Sequence, residues 1–470
     1  MTTPNATDSN TTLQNAVLLM VLLNAFTTPL MLSATNVALP GISADLGMSA
    51  VALSWVPLAF LMASAMFVLL FGSLADRIGR KRVFLLGTAA VIVTSAIAAL
   101  SLNGPMLIAA RFLQGISAAM LYATQMAMVA SVFPAQRRGR VVGLVVSVIY
   151  IGLAAGPLLG GFVIDTLGWR WSFLLQLPLA LAVLLIGMLR VPGEWRADDQ
   201  TPFDLRGALL YSTAVMLLCL AVSRLPGAAG VALLAAGSLC LVGFVRHALQ
   251  CPAPLWDVRL FFSNRVFTLS SAASLIMYTA TYANVVMLSL YLQYLKTLTA
   301  TEAGLMLMLQ PISMAVLSPL AGRLSERVEP RILATAGMSL TAVGLAVLAT
   351  LDSDSSLTSL AVALLITGTG FALFSSPNVN AIMGSVAPRH LGSASGAVAT
   401  TRLLGQLASM MLVSLMLALL MGNAPLTVEN YPQLEHAIRL SFALAAALCV
   451  PGILLSMARG QLHTRTSEKS

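Results

Sequence analysis

The sequence predicts an all-α polytopic membrane protein. Hydrophobic residues make up 58% of the 470 residues, charged residues only 9%, and the mean hydropathy is +0.89. A soluble domain contains roughly 45–50% apolar residues, so the composition excludes an ordinary water-soluble fold. Long stretches without any charge alternate with short basic loops. This alternation is typical of a chain whose helices cross a bilayer many times.

Fourteen apolar stretches are long enough to cross a membrane as helices of about 20 residues. They cover residues 14–39, 50–72, 83–104, 106–131, 141–165, 171–191, 207–224, 228–248, 266–293, 301–322, 331–351, 357–384, 392–421 and 438–458. The weakest separator is Leu225–Gly227, so 12 spans with one long central insertion is the alternative. The division predicts a six-helix half over 1–192, a central insert with two helices over 193–265, and a second six-helix half with the tail over 266–470.

The lysines and arginines predict the orientation of the chain. With the N-terminus in the cytoplasm, 20 of the 26 Lys and Arg fall on the cytoplasmic side, four fall outside, and Arg111 and Arg402 fall in helices. Cytoplasmic loops of membrane proteins carry such an excess of positive charge. The net charge of +9 therefore indicates membrane topology and lipid contact, and no nucleic-acid partner is expected. We expect both termini to be cytoplasmic and the membrane to be the cytoplasmic (inner) membrane of a bacterium.

The densest charge cluster lies between the second and third spans, at Gly72–Arg82, where five charges fall within seven residues. Gly79 is expected to supply the positive φ of a tight reversal, and Gly72 to let one helix end approach another backbone. Asp76 is expected to meet a helix N-terminus or an arginine. The pattern recurs 250 residues later, where Gly322, Leu324, Glu326 and Arg327 correspond to Gly72, Leu74, Asp76 and Arg77. The repeat predicts two halves that rock around a midplane site, although the loops could also be topological anchors alone.

The fifth span carries a run of small residues. Small residues four apart allow helices to touch backbone to backbone, and a proline removes one backbone hydrogen bond and allows a bend. A plain close-packing helix is the alternative interpretation. The residues are Gly152, Gly156, Pro157, Gly160 and Gly161.

These motifs together resemble the major facilitator superfamily, and in particular its 14-helix drug:proton antiporter branch. Gly72–Arg82 is similar to that family's loop between the second and third helices, and Gly152–Gly161 to its antiporter signature. Arg111–Gly115 is similar to a fourth-helix pattern whose arginine faces the central cavity, and Ala399–Gln406 to the start of the thirteenth helix. The resemblance implies the major facilitator fold and multidrug efflux by antiport, with antibiotic resistance as its consequence. Arg111 could instead snorkel to the interface, and Arg402 could be a cytoplasmic anchor.

The first span departs from the family pattern. Asn36–Pro40 resembles the end of the first-helix signature, but the position of the family's proton-binding aspartate falls on Met31. No acid lies between Asp8 and Asp45. A proton-coupled carrier needs a group whose protonation differs between its two open states. Asp76 and Asp165 are the coupling candidates, and the predicted cytoplasmic gate comprises Gly72, Asp76, Arg77, Gly79, Arg80, Glu326 and Arg327.

Polar residues in otherwise apolar helices are candidates for lining the substrate cavity. Helix–helix hydrogen bonds are the alternative role for such residues. The candidates for cavity or substrate contact are Asn24, Met31, Asn36, Arg111, Gln114, Gln125, Tyr278, Tyr282, Asn284, Gln310, Asn378 and Arg402. A cavity with an arginine and no carboxylate suits neutral, anionic or zwitterionic amphiphiles better than permanent cations. The two insert helices contain few polar residues and are expected to face lipid, outside the transport path.

The sequence therefore predicts a monomeric secondary transporter that exports small amphiphilic drugs or toxic metabolites by proton antiport. The alternative with the same fold is an uncoupled or differently coupled carrier of a neutral or anionic metabolite, because of Met31. A membrane sensor or scaffold is a third possibility, against which the preserved glycine motifs argue. We find no nucleophile–base set or phosphate loop, so an enzyme is not expected. The four cysteines lack metal-ligand spacing, and neither a cofactor nor a metal site is predicted.

Overall fold

A computed structural model describes residues 6–196, 203–387, 391–422, 424 and 426–460. Within these residues, 14 helices are long and apolar enough to cross a membrane. The separator at Leu225–Gly227 divides two such helices, so the 14-span prediction is confirmed and the 12-span alternative is wrong. The prediction of an all-α polytopic protein is confirmed.

Helices account for nearly all regular structure. In chain order they are α1 (Ala6–Leu46), α2 (Ala50–Ile78), α3 (Arg80–Ala99), α4 (Gly104–Val132), α5 (Ala135–Leu167), α6 (Arg170–Leu174), α7 (Leu177–Leu189), α8 (Leu205–Val222), α9 (Ala228–Gln250), α10 (Arg259–Ser263), α11 (Arg265–Thr281), α12 (Asn284–Leu290), α13 (Ala300–Leu307), α14 (Leu309–Leu324), α15 (Pro330–Leu348), α16 (Leu357–Gly384), α17 (Leu391–Leu420) and α18 (Tyr431–Ala458). A π-helical turn, Tyr291–Leu295, extends α12.

Local sequence explains where several helices begin and end. Ser49 caps α2 and Asn103 caps α4 through their side-chain oxygens, and Thr299 with Glu302 forms a capping box at α13. Each cap satisfies N–H groups that have no partner inside the helix. The predicted end of the first span at residue 39 is wrong, because α1 continues through Pro40 to Leu46. A proline removes only one intrahelical hydrogen bond, which an otherwise apolar helix tolerates.

The helices form two packed sets. In the first set, α1 packs along α5, and α2 and α3 pack along α4; in the second, α16 packs along α15 and α14, and α11 packs against α17 and α18. The two sets meet where α5 contacts α13 and α14, where α2 contacts α17, and where α1 contacts α12. We call the end of the bundle that carries Gly72–Arg82 the basic end, and the other the opposite end.

The two insert helices differ in their surroundings. α8 and α9 pack together, and α8 also contacts α2 and α17. Tyr211 and Cys219 of α8 are buried, and Ser212 Oγ donates a hydrogen bond to the Met66 carbonyl of α2 at 2.9 Å. α9 keeps large exposed apolar side chains such as Leu239, which is 73% exposed. The lipid-facing prediction therefore fits α9 but is wrong for α8, whose small residues let it pack against α2.

Candidate substrate site between the two sets of spans

Arg111 of α4 lies fully buried inside the bundle. Its Nε donates a hydrogen bond to the Val56 carbonyl at 3.1 Å, and its Nη1 donates to Gln114 Oε1 at 2.5 Å. The guanidinium stands over the Phe60 ring, 4.5 Å from the ring centroid. Gln114 in turn donates to Ser95 Oγ at 2.8 Å. Arg111 therefore does not snorkel to an interface, and its charge is held within the first set.

The residue opposite Arg111 is Met31, at the position where the family pattern has an aspartate. Met31 Sδ lies 3.3 Å from Arg111 Nη1, and Met31 is 2% exposed. A thioether is only a weak acceptor, so it leaves the arginine charge without compensation. Nη2 of Arg111 has no hydrogen-bond partner in the described part of the chain. An unpaired buried cation is energetically costly.

A second arginine and four tyrosines continue this site across both sets. Tyr122 and Tyr282 are neighbours of Arg111, and Tyr122 and Tyr278 are neighbours of Arg402 of α17. Tyr150 Oη lies 3.3 Å from Ser375 Oγ and so bridges α5 to α16. We call these six residues the central Arg/Tyr cluster: Arg111, Tyr122, Tyr150, Tyr278, Tyr282 and Arg402. The Asp and Glu residues of the described helices are found near helix ends, away from this cluster.

Several helices of the two sets carry buried polar atoms that have no hydrogen-bond partner in the part of the chain that the structure describes. They include Asn36 Oδ1 in α1, Tyr282 Oη, Asn284 Nδ2 in α12 and Gln310 Oε1 in α14. Buried polar groups in proteins are normally hydrogen-bonded. These atoms are therefore available to a ligand or to water, whereas the backbone around them is satisfied by its own helices.

Other predicted cavity residues form bonds within one set instead. Asn24 Nδ2 donates to Gln125 Oε1 at 2.5 Å, which joins α1 to α4. Asn378 Nδ2 donates to the Ser270 carbonyl at 3.0 Å, and its Oδ1 accepts from Arg459 Nη1 at 2.8 Å. Arg459, which directly follows the last apolar stretch of the sequence, is only 2% exposed. Asn24, Gln125 and Asn378 thus make the helix–helix bonds that were the alternative interpretation.

The glycine run of α5 lies against α1 and against the second set. A Cβ at Gly156 would lie 2.6 Å from Ser33 Cβ, and one at Gly160 would lie 2.6 Å from Ala34 Cβ. A Cβ at Gly152 would likewise collide with the Phe26 backbone, and one at Gly161 would collide with the Ala300 carbonyl of α13. The Pro157 carbonyl contacts Gly304. The motif therefore allows close backbone contact on two sides of α5, within the first set and between the sets.

At the opposite end, hydrogen bonds join the two sets. Asp165 at the end of α5 accepts hydrogen bonds from Ala300 N–H at 3.1 Å and Thr301 N–H at 2.8 Å. Gln293 donates to the Val37 carbonyl at 3.0 Å, and Ser54 Oγ contacts Ser414 Oγ at 3.0 Å. Asp165 thereby supplies an acceptor to the N-terminus of a helix in the other set. The opposite end of the bundle is closed.

Comparison with known proteins identifies the family. A sequence profile of the Major Facilitator Superfamily matches residues 21–409 and 269–469. The chain belongs to the Major Facilitator Superfamily. It is therefore a multi-pass membrane transporter with small-molecule substrates, and not an enzyme.

Individual relatives extend this result. The chain is 29% identical over 444 residues to the riboflavin transporter RibZ of Clostridioides difficile, covering 94% of this chain and 96% of RibZ. It is 30% identical over 409 residues to the multidrug resistance protein Stp of Mycobacterium tuberculosis, covering 86% and 75%. Among solved structures, a bacterial homologue of the human lysosomal transporter Spinster, in an inward-facing and unoccupied conformation, superposes with a TM-score of 0.68 at 16% identity, covering 97% of this chain and 98% of that chain.

The loop motif of this major facilitator chain forms a compact structure at the basic end. Asp76 makes an ion pair with Arg80 at 2.7 Å, and Gly79 has φ of 119°, so both of these predictions are confirmed. The prediction for Gly72 is wrong, because nothing lies within 4 Å of the position of its Cβ. Sequence reasoning missed Glu194, whose carboxylate accepts from Lys81 N–H at 2.8 Å and Arg82 N–H at 3.0 Å. A carboxylate at a helix N-terminus satisfies free N–H groups and the helix dipole, but no local spacing reveals this contact.

The second copy of the loop is more open. Glu326 and Arg327 are exposed, and α15 begins four residues after Glu326, at Pro330. Arg77 stands over the Phe203 ring of the insert, 5.3 Å from its centroid. The charged residues Arg77, Glu326 and Arg327 of the two loops therefore lie at the basic end, and Glu326 and Arg327 are exposed at its surface.

Proposed function

We propose that this transporter exports small neutral or anionic amphiphiles with aromatic character, and that the central Arg/Tyr cluster is the binding site. Two features of Arg111 carry the proposal. Its Nη2 is buried and has no hydrogen-bond partner among the described residues, and Met31 lies where a counter-ion would be expected. The cluster lies between the two sets of spans, where alternating access places a substrate site.

The chemistry of the cluster favours this substrate class. A buried guanidinium binds a carboxylate, phosphate or electron-rich carbonyl through directional N–H groups. Arg402 forms no hydrogen bond or ion pair within the described residues, so a second cation is also available. Tyrosine rings offer broad contact area and a hydroxyl for recognition. Permanent cations would be repelled by two arginines that lack nearby carboxylates.

Relatives support export and the substrate class in part. Stp is named for multidrug resistance and RibZ for riboflavin transport. A flavin is a planar heteroaromatic with polar imide and hydroxyl groups, which fits an Arg/Tyr site. We therefore place drugs and planar heteroaromatic metabolites in the proposed substrate range, with export across the cytoplasmic membrane as the direction.

Proton antiport is the proposed energy source, and its carrier groups must lie outside the centre. Asp165 is exposed at the opposite end, where it accepts hydrogen bonds from α13, and Asp76 is paired with Arg80 at the basic end. Protonation of Asp165 would weaken the contact that closes the opposite end, whereas protonation of Asp76 would break its ion pair. Loss of either contact would favour opening at the corresponding end, so Asp165 and Asp76 are the proposed coupling residues.

A second candidate is an uncoupled carrier of the same substrates. It is favoured by the contact between Met31 and Arg111, because a thioether cannot take up a proton at the site where a carboxylate could. Such a carrier would equilibrate its substrate across the membrane and would not respond to a pH gradient.

The membrane placement follows the distribution of charge. We propose that the basic end faces the cytoplasm of a bacterium, with both termini on that side, and that the protein acts as a monomer in the lipid bilayer. We further propose functional boundaries at 192 and 265, so that the halves 1–192 and 266–470 move around the site while the insert 193–265 remains attached to α2.

Transport in proteoliposomes tests the proposal. The probes are riboflavin, a carboxylated fluorescent dye and ethidium, each with and without an imposed pH gradient. We expect riboflavin and the anionic dye to be transported and ethidium to be excluded. Arg402→Gln should reduce anionic transport by about tenfold, which corresponds to one lost charge-assisted contact of ~1.4 kcal/mol. Arg439→Gln, on an arginine that is half-exposed, is the matched control and should leave transport unchanged. Preferential ethidium transport would contradict the proposal, and a flux that ignores the gradient would select the uncoupled carrier.

A further inference from the structure

Three side chains of metal-ligating type meet in the central insert. Asp204 is the N-cap of α8, His247 lies in the last turn of α9, and Cys251 is the C-cap of α9. Their ligand atoms all lie within 4.8 Å of one another. The site is at the basic end of the bundle, away from the central Arg/Tyr cluster.

The protein holds the carboxylate of Asp204 in a fixed position. Its Oδ1 accepts from Gly207 N–H at 2.8 Å and its Oδ2 accepts from Leu255 N–H at 3.1 Å, while His247 Nε2 lies 2.7 Å from Oδ1. The Asp204 side chain is 4% exposed and the His247 side chain 27% exposed. The buried ligand is therefore oriented before any cation arrives, and the imidazole remains accessible from the surface.

The second and third ligands lie on one face of a helix. His247 and Cys251 are four residues apart, and residues at this spacing are neighbours on a helix surface. A hydrogen bond between His247 and Asp204 explains the positions of those two residues. It does not explain why a partly exposed thiol stands beside them, when Cys240 of the same helix belongs to no such group.

The ligand set selects a class of metal. One imidazole nitrogen, one thiolate and one carboxylate oxygen suit Zn²⁺ and similar borderline cations, with bonds of about 2.0–2.3 Å. Such bonds place N and O ligands about 3.3 Å apart, so side-chain movements of about an ångström complete the site. The two negative ligands balance a divalent charge. The Arg259 guanidinium donates hydrogen bonds to the Leu249 and Cys251 carbonyls.

We propose that Asp204, His247 and Cys251 form a three-ligand site for a zinc-class divalent cation, with water as the fourth ligand. The cation joins the start of α8 to the end of α9 and, through the Leu255 backbone, to the link that leads to α11. Spacing along the sequence does not reveal this site, because Asp204 precedes the α9 residues by the full length of the helical hairpin. The proposal is independent of the transported substrate.

Metal titration of the full-length protein tests the site. The protein is purified in detergent with its affinity tag removed, stripped with EDTA and titrated with Zn²⁺ or Co²⁺ alone. We expect one equivalent of Zn²⁺ to bind, and Co²⁺ to give the charge-transfer absorption of a thiolate ligand. Cys251→Ser should abolish that absorption and weaken Zn²⁺ binding by at least tenfold, and His247→Ala should weaken binding similarly.

The control variant is Cys240→Ser, which removes the other partly exposed cysteine of α9 and should leave binding and spectrum unchanged. If Cys251→Ser binds Zn²⁺ as tightly as the unmodified protein, or if Co²⁺ gives no thiolate absorption, the proposal is overturned. Size-exclusion chromatography of each variant shows whether it is folded. His247→Gln serves as a second variant at that position if His247→Ala aggregates.

Discussion

Restoring a carboxylate opposite Arg111 is the sharpest test of the central site. In Met31→Asp, a carboxylate Oδ is separated from Cα by the same number of bonds as the Met31 Sδ. Placed at that point, 3.3 Å from Arg111 Nη1, it would attract the guanidinium by about 5 kcal/mol at an effective dielectric constant of ~20. Burying the new carboxylate costs several kcal/mol, so we expect the stability of the single variant to change by no more than ~2 kcal/mol.

The informative quantity is the coupling between the two positions. In an Arg111→Met background the new aspartate has no counter-ion, and an uncompensated buried charge costs about 3–5 kcal/mol. A double-mutant cycle should therefore give a coupling energy of ~2–4 kcal/mol between Asp at 31 and Arg111. The assay is reversible unfolding in mixed micelles, followed by tryptophan fluorescence. Met31→Leu, which removes the sulfur without adding charge, is the control and should show a coupling near zero.

The same variant should change transport. When the guanidinium is neutralised by a neighbouring carboxylate, anionic probes should bind about tenfold or more weakly, and the response of transport to an imposed pH gradient should increase. Met31→Asn is the neutral isostere and should do neither. A coupling energy below ~0.5 kcal/mol, or anionic transport that is unchanged in Met31→Asp, would refute the inference that Arg111 is an uncompensated ligand for substrate.

Three further predictions concern the rest of the bundle. Gly161→Leu should prevent close contact between α5 and α13 and lower transport by more than tenfold, measured in proteoliposomes, whereas Gly143→Leu on an exposed face should not. Asp165→Asn should weaken the closed opposite end by about 0.5–1 kcal/mol, detected as greater labelling of engineered cysteines there. The Ser355 hydroxyl holds the pKa of Asp352 below its ordinary value. Because this stabilisation exists above the unfolded pKa of Asp352 and is lost as pH falls through its folded pKa, the protection of that loop's amides against hydrogen exchange, relative to their intrinsic rates, should fall only in acid.

The sequence predicted most of the fold because the bilayer imposes strong constraints. Only helices and closed barrels satisfy all backbone groups in lipid, so hydropathy and loop charge locate the spans to within a few residues. The failures have local causes. Pro40 marked a helix end that α1 does not have, and Arg459 is buried although it follows the last apolar run. Neither hydropathy nor charge indicates whether a residue at a helix end faces water or a neighbouring helix.

The candidate site was predictable in its residue types but not in its contacts. Arg111, Tyr278, Tyr282 and Arg402 were identified as polar residues in apolar helices. The contact between Arg111 and Met31 joins residues 80 positions apart and depends on how α1 packs against α4, which the sequence does not specify. Tyr150 was missed because a tyrosine beside a glycine run is also common in packing interfaces.

Two arginines are buried in the described part of the bundle, and comparing them shows why Arg111 is assigned to substrate. Each leaves Nη2 without a hydrogen-bond partner. Arg459, however, donates a hydrogen bond to Asn378 and has both Glu329 and Arg331 as charged neighbours, so an acidic counter-charge is available to it within the protein. The electrostatic neighbours of Arg111 are tyrosines, and its closest potential counter-ion position holds a thioether. A buried charge of this kind lowers the stability of the empty transporter, and a bound anion or polarised carbonyl would remove that cost. The uncompensated charge of Arg111 therefore has two effects: it destabilises the transporter without substrate, and it favours the binding of substrates that can neutralise it.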